Sequence, residues 1–498
     1  MNPDIIIIGS GMGGATMAAA LAPTGRRILI LERGERLADS PAARDPVAIF
    51  ARGHYRPDEV WLDGGGVPFN PGNYYVAGGN SKFYGAVLIR YRAEDFAPLH
   101  HMGGTTPGWP LSYAQMEPHY QAAEDMYQVR GVLGQDPTEP THSGDYNFPP
   151  VPDEPAIADL RRRMQSVGLH PSSLPLGVDI AAWLKGGQTP WDAFPGISPG
   201  KLDAETVGLA YALQHPNVTL QTGTRVLRLI AGEGGKITGV EVERAGGRET
   251  LTAPLIVLSA GAVQTAALLL ASADAAHPMG LANQSDQVGR NFMNHNLSAV
   301  LAMHPFRRNP SVYQKTIQIN DFYLSGGPAG EPLGNIQLLG KISGPILASD
   351  TPIPLPVARW IAGRSVDLLA MSEDLPNPNS QVTLKNGQIT LDWKRSNWAA
   401  HTALVAKLKA KLRRAGYPIV LSRAFDRRTP SHQCGTARMG ADPSASVVNP
   451  DCRAHDHANL FIVDASVLPT SAAVNPALTI AALALRAAQH IAKTEFAA

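Results

Sequence analysis

The sequence predicts an α/β fold, with a parallel sheet built on a βαβ opening and a separate antiparallel sheet. Three observations carry that prediction. The chain opens with an apolar strand, a glycine loop, a small-residue helix and a second apolar strand. A second buried strand and helix follow at residues 255–272, and a further strand lies near the carboxyl end at 460–463. Residues 381–393, QVTLKNGQITLDW, alternate in polarity around Asn386-Gly387, the dipeptide favoured in tight hairpins.

Taken in order, residues 4–8 form the first strand, 15–22 its helix and 27–32 the next strand. Residues 36–79 read as a long irregular stretch rich in Gly and Pro, and loops of that length bind or cover something. Ser112 is placed to cap a helix over 113–128, and a polar helix is expected over 156–167 after a proline-rich wrapping loop at 136–155. Strands are expected at 217–223, 225–231 and 237–243, then at 255–259 with a helix over 262–272. Strand-like pieces such as 313–321 and 381–393 place an antiparallel sheet within about 300–395. A helix over 401–415 and a last helix over 477–492 complete the chain.

At 498 residues the chain exceeds one simple core, so two domains, or one interrupted by another, are expected. A net charge of +1 without any block of like charge carries no footprint for nucleic acid or an anionic membrane. The two cysteines, Cys434 and Cys452, are too few for a disulfide scaffold and read as reduced, partly buried thiols. The apolar run at 255–272 approaches the length of a membrane span, but Gly261 and Gln264 divide it into a core strand and helix. With no secretory leader ahead of the first strand, the expected location is cytoplasmic.

Gly9, Gly11 and Gly14 satisfy G-x-G-x-x-G between a strand and a helix, and Glu32 ends the following strand. In that setting the first glycine permits the turn, the second admits a pyrophosphate and the third lets helix pack on strand. The uncapped helix start favours phosphate, and Glu32 would accept ribose hydroxyls. FAD and NAD share this pattern, whereas an acid at Glu32 argues against NADP. Near the other end, Ser431-His432-Gln433-Cys434-Gly435 is a polar glycine-bearing segment, and Asp464 ends a buried strand, where open α/β sheets place ligand contacts. Asn475-Pro476 precedes a helix with Pro476 suited to its first position. Cys452, His455 and His457 invite a zinc reading, but a solvated turn fits their polar surroundings better, so no metal is expected. Spacing alone leaves His432 balanced between a functional and an ordinary loop histidine, and His100, His101, His142 and His295 cannot be placed.

The chain resembles the glucose–methanol–choline (GMC) oxidoreductases. The resemblance rests on the amino-terminal fingerprint, Gly78-Gly79-Asn80-Ser81-Lys82-Phe83-Tyr84-Gly85, Leu258-Ser259-Ala260-Gly261-Ala262 and the His432…Asn475-Pro476-x-x-Thr479 ending, in the family's order. It implies a discontinuous Rossmann-like FAD-binding domain from residues 1–135, 205–300 and 430–498. An interleaved α+β substrate domain with an antiparallel sheet would take 136–204 and 301–429. By that resemblance Gly9, Gly11, Gly14 and Glu32 hold the ADP half, and Gly78, Gly79 and Asn80 line the pyrophosphate and flavin. Val226 faces the adenine through its backbone, Asp464 and Ala465 meet the ribityl and phosphate region, and Pro476 and Thr479 lie by the pyrimidine edge. His432 and Asn475 are then the catalytic pair. Phe83 stands where members with a covalent flavin carry histidine, so FAD is expected to be non-covalent; Tyr84 stands where many members have asparagine.

The expected reaction is oxidation of a small-molecule alcohol or sugar, with neutral His432 taking the hydroxyl proton and Asn475 orienting the substrate. Oxygen, or another acceptor such as a quinone or cytochrome, would then take the electrons. A flavin hydroxylase, an amine oxidase, a nicotinamide dehydrogenase and a non-catalytic flavin-binding protein are the rival classes. Neither the hydroxylase nor the amine oxidase accounts for the His432–Asn475 ending, and the presence of His432 speaks against a non-catalytic protein.

Overall fold

The computed structural model describes residues 2–186, 191–197, 199–429 and 432–496. Ser431, part of the polar segment singled out above, lies outside the described residues.

Three short runs, IIII at Ile5–Ile8, LIVL at Leu255–Leu258 and LFI at Leu460–Ile462, are buried throughout. Continuous apolarity of that kind suits strands covered on both faces. They pair in parallel with Ile28–Leu31 and Val218–Gln221 in the order 460, 255, 5, 28, 218. The sheet thus joins the start, middle and end of the chain. Helix Met12–Leu21 packs on the last helix, Ala477–Thr494, which is rich in alanine on its buried face. Small side chains allow the two helices to approach closely beside the sheet. A three-stranded antiparallel sheet, Arg225–Ala231, Ile237–Arg244 and Gly247–Leu251, flanks this unit.

The second body is a six-stranded antiparallel sheet. Its order is Ile419–Ala424, Asn296–Met303, Ser365–Ser372, Asn335–Leu338, Ile317–Ile319, Pro171–Ser173. One face is apolar: Val300, Ala302, Leu368, Ala370, Ile336 and Leu338 meet Leu404, Leu408 and Leu412 of helix Trp398–Arg414. Alternate residues point the other way, and there Leu297, Ala299 and Leu369 stand beside Asn335, Gln337 and Gln318.

Sequence reading located the elements of the parallel sheet and the long helices with shifted ends, but not strands Asn296–Met303, Asn335–Leu338, Ser365–Ser372 and Ile419–Ala424 of the six-stranded antiparallel sheet. The helix expected at 15–22 begins earlier, at Met12, because Gly13 and Gly14 are helical where the chain must pack tightly. Ser112 caps helix Tyr113–Met126, accepting from Gln115 N at 3.3 Å while Gln115 Oε1 accepts from Ser112 N at 2.9 Å. The hairpin Gln381–Lys385/Gln388–Asp392 forms, with Asn386 and Gly387 at φ 50° and 77°. It does not join the six-stranded sheet, however. Thr390 pairs in parallel with Leu62 of Trp61–Asp63, a strand inside the stretch read as irregular. Local alternation identifies a hairpin without saying which edge it meets.

Cys434 and Cys452 are buried free thiols. The turn bearing Cys452, His455 and His457 is not solvated as expected. His457 is fully buried, its Nδ1 2.6 Å from Gly235 O and its Nε2 accepting from Ala282 N at 3.1 Å. Among the described residues no three His, Cys, Asp or Glu side chains are grouped to hold a metal, and no helix is long and apolar enough to cross a membrane.

Candidate active site

A cavity of about 1280 Å³ runs from the ends of the parallel strands to the face of the antiparallel sheet that bears Leu297, Ala299 and Leu369. At its first end Gly9 leaves the strand at φ +97°, and a Cβ there would lie 2.2 Å from Ser259 O. Gly14 packs the helix on the loop: a Cβ would meet Gly9 O at 2.0 Å. Gly11 is different. Its φ of −69° suits any residue, and a methyl group there would meet nothing within 4 Å. Neither backbone nor packing asks for glycine at that point, so the open space in front of it fits a bound pyrophosphate.

Glu32 sits beside this space, 6% exposed. It accepts from Ser10 Oγ at 2.6 Å, Ser10 N at 3.2 Å and Gly34 N at 3.0 Å. Burial raises its carboxyl above the usual range against those hydrogen bonds. Ser10 Oγ also accepts from Gly78 N at 3.1 Å, tying the glycine loop to the 78–80 turn. Ser10 occupies a variable position of the fingerprint, so no sequence signal singled it out. Gly79, Asn80, Val226, Asp464, Ala465 and Pro476 line the cavity. Gly78 and Gly14 lie just behind its wall. Asp464 is held by Gly261 N, Thr265 Oγ1 and Ser466 N at 2.9, 2.6 and 2.7 Å. Thr479 faces away, its hydroxyl 2.8 Å from Tyr120 Oη. Pro476 caps the last helix rather than entering it, one position earlier than expected.

At the other end stand His432 and Asn475. His432 has φ +65°, a conformation uncommon for a side chain of its size. Its Nε2 is 3.2 Å from Asn475 Nδ2, and its Nδ1 is 2.9 Å from Nδ1 of His295. His295 Nε2 lies 2.9 Å from Ser471 O. Burial, then His295, then Lys315 hold the His432 imidazole well below the ordinary histidine range. It is therefore neutral near pH 7 and able to accept a proton. His295 is the partner that sequence reading could not place. His100 is exposed on a hairpin, His101 pairs with Glu373 at 3.2 Å, and His142 lies by Glu124 and Glu139.

Leu297, Ala299, Leu339, Leu369 and Phe425 form an apolar wall near the pair. Opposite in character, Lys315 Nζ binds Asp192 Oδ2 at 2.7 Å at the cavity lining. Phe83 lines the cavity and stacks on Tyr74 with centroids 3.7 Å apart, while the Tyr84 hydroxyl bonds Leu202 O.

A dinucleotide cradle at one end of a cavity and a neutral histidine at the other define a dinucleotide-dependent oxidoreductase of the α/β class. Comparison with known proteins names the family. Profiles described as GMC oxidoreductase match residues 199–297 and 380–484, and one described as an NAD(P)-binding Rossmann-like domain matches 7–53. The chain is 30% identical to 6'''-hydroxyparomomycin C oxidase of Streptomyces lividus, over 98% of this chain and 91% of that one. It is 28% identical to 2-methyl-1,2-propanediol dehydrogenase of Mycolicibacterium austroafricanum, over 98% and 95%. Pyridoxine 4-oxidase from Mesorbium loti has the same fold, with TM-score 0.67 and 22% identity over 98% and 99% of the two chains. The protein belongs to the GMC oxidoreductase family and is an oxidoreductase, and that membership implies FAD.

Proposed function

We propose that the protein oxidises an alcohol CH–OH to a carbonyl, with His432 as the general base and Asn475 as the group that orients the substrate oxygen. The observation that carries this reading is the His432 imidazole, kept neutral by burial and set 3.2 Å from the Asn475 amide at the cavity edge. A neutral imidazole removes a hydroxyl proton, and an amide beside it holds the same oxygen. FAD, when bound, supplies the hydride acceptor. Gly9, Gly11, Gly14 and Glu32 would hold its ADP half. Gly78, Gly79, Asn80, Val226, Asp464, Ala465 and Pro476 would keep the remaining roles implied by the resemblance, while Thr479 would act only from behind them, its hydroxyl being taken by Tyr120. Phe83 offers no atom for a covalent link, which supports a non-covalent flavin.

The same reading divides the chain as the resemblance implies, save at one place. The parallel-sheet body would bind FAD and the six-stranded sheet would bound the substrate, but the hairpin at 381–392, which the resemblance gives to the substrate domain, would go to the FAD side because it pairs with Trp61–Asp63. The substrate is a small alcohol or sugar: relatives named for an aminoglycoside and for a diol support that range. Oxygen or another acceptor closes the cycle, in a cytoplasmic enzyme.

The test uses purified protein with its bound flavin, mixed anaerobically with glucose, glycerol, 1,2-propanediol and benzyl alcohol, then exposed to air. Bleaching by one alcohol supports the reading, and prompt peroxide-forming recovery in air makes the enzyme an oxidase. Slow recovery makes it a dehydrogenase with another acceptor. Purified protein without flavin, or flavin that no alcohol bleaches, would overturn it.

A further inference from the structure

We propose that Gln337 is a positioning residue: it passes a hydrogen-bond polarity, set by the buried carboxylate of Asp136, to Asn475 and so to His432. The proposal rests on the reading of His432 as the base. The chain of contacts is continuous. Asn320 Nδ2 donates to Asp136 Oδ2 at 2.6 Å, Asn335 Nδ2 to Asn320 Oδ1 at 2.7 Å, and Gln337 Nε2 to Asn335 Oδ1 at 2.8 Å. Gln337 Nε2 also donates to Asn475 Oδ1 at 2.8 Å. Asp136, its side chain 4% exposed, is bound by Arg92 and accepts from Thr138 N and Gln318 Nε2, so its oxygens serve as acceptors. Asn320 must therefore turn its NH2 toward Asp136 and its oxygen toward Asn335. The same choice propagates through Asn335 and Gln337, both at most 1% exposed, until Asn475 presents an N–H to His432 Nε2.

A second chain arrives from the opposite side and demands the same polarity. The Ser471 carbonyl accepts only, so His295 carries its proton on Nε2 and offers a lone pair at Nδ1. His432 then donates from Nδ1, and its Nε2 is left with the lone pair that a base needs. Both routes make Nε2 the acceptor. Gln337 does not line the cavity, so it acts through Asn475 alone. Its Oε1 is buried without a hydrogen-bond partner, so Gln337 holds its place through Nε2 alone.

The experiment compares Gln337→Leu, Gln337→Met and Gln337→Glu with wild type, following reduction of bound FAD by whichever of the four alcohols bleaches it fastest. Gln337→Leu and Gln337→Met keep the volume and should slow reduction about tenfold with KM changed by less than about twofold. In an Asn475→Ala background the same substitutions should slow it no further. Ionised Gln337→Glu can only accept, so Asn475 turns its oxygen toward His432. The acid limb of the pH–rate profile should then move to higher pH. The 15N spectrum of histidine-labelled protein without substrate should show the His432 proton on Nδ1 in wild type and shared with Nε2 in Gln337→Glu. Wild-type rates in the apolar variants, or an equal slowing with and without Asn475, would overturn the proposal. If His432→Ala reduces FAD at the wild-type rate, the base reading fails instead. If His432→Ala is slow but Gln337→Leu is not, only the relay fails. Should neither apolar variant fold, the Gln337→Glu profile and spectrum decide, an unmoved acid limb and proton overturning the relay.

Discussion

The two large sheets of this protein work in opposite ways. The parallel sheet is apolar on both faces of its central strands, so its chemistry is confined to strand ends, where Gly9, Glu32 and Asp464 sit. The six-stranded sheet is apolar throughout on its face toward helix Trp398–Arg414. Its other face carries chemistry along the strands themselves, half as a leucine wall and half as buried amides. The first sheet offers backbone N–H groups and a helix start; the second offers side chains. Recognition of a cofactor common to many enzymes suits the former, and a particular substrate geometry suits the latter.

Variants at the two sheets should therefore separate flavin binding and stability from chemistry. The largest effect is expected at His432. His432→Ala should slow flavin reduction by about 10²–10⁴-fold while the protein keeps its FAD, measured by stopped-flow bleaching and flavin content. Loss of flavin from that variant would break the separation. Next comes the helix face: Leu404→Ala, at a site 0% exposed, should cost about 2–5 kcal/mol of stability in a denaturant titration with little change in KM. Leu369→Ala, on the cavity wall, should instead change KM for the alcohol substrate with a smaller loss of stability. Equal stability losses would mean that the two faces are alike.

At the strand ends, Gly14→Val should lower flavin content and cost about 1–3 kcal/mol through overpacking against Gly9 O, read by absorbance and Tm. The smallest effect concerns pH. Burial, His295 and Lys315 all lower the His432 pKa, so its neutral form persists below the ordinary histidine range, near 6.5. The acid limb of kcat/KM should lie below that value. The double variant Asp192→Asn/Lys315→Met removes the pair without stranding a buried charge. With the cation gone, the His432 pKa rises and the limb should move to higher pH.

Much of the cradle was legible because its information is local. Gly9, Gly11, Gly14 and Glu32 lie within one βαβ unit, and each residue type follows from backbone geometry or from the space a phosphate requires. The hairpin at 381–392 was equally legible as a hairpin, since Asn386-Gly387 selects the turn. Its partner strand was not, because Trp61–Asp63 is only three residues long and its Leu62 pairs with Thr390, 328 positions away. The His432 surroundings were similarly hidden. His295 is 137 positions away in sequence, and Gln337 is 138 positions from Asn475.

The sequence by itself determined the α/β class, the nucleotide fingerprint and the family to which the His432–Asn475 ending belongs. Periodicity, glycine spacing and turn residues are local properties, set by the backbone and by the neighbours within a few residues. Only the tertiary structure decided which nitrogen of His432 carries the proton, which way Asn475 turns and where the hairpin pairs. Hydrogen-bond polarity passes through contacts between distant strands, and a buried amide takes its orientation from a partner that folding alone brings within 3 Å.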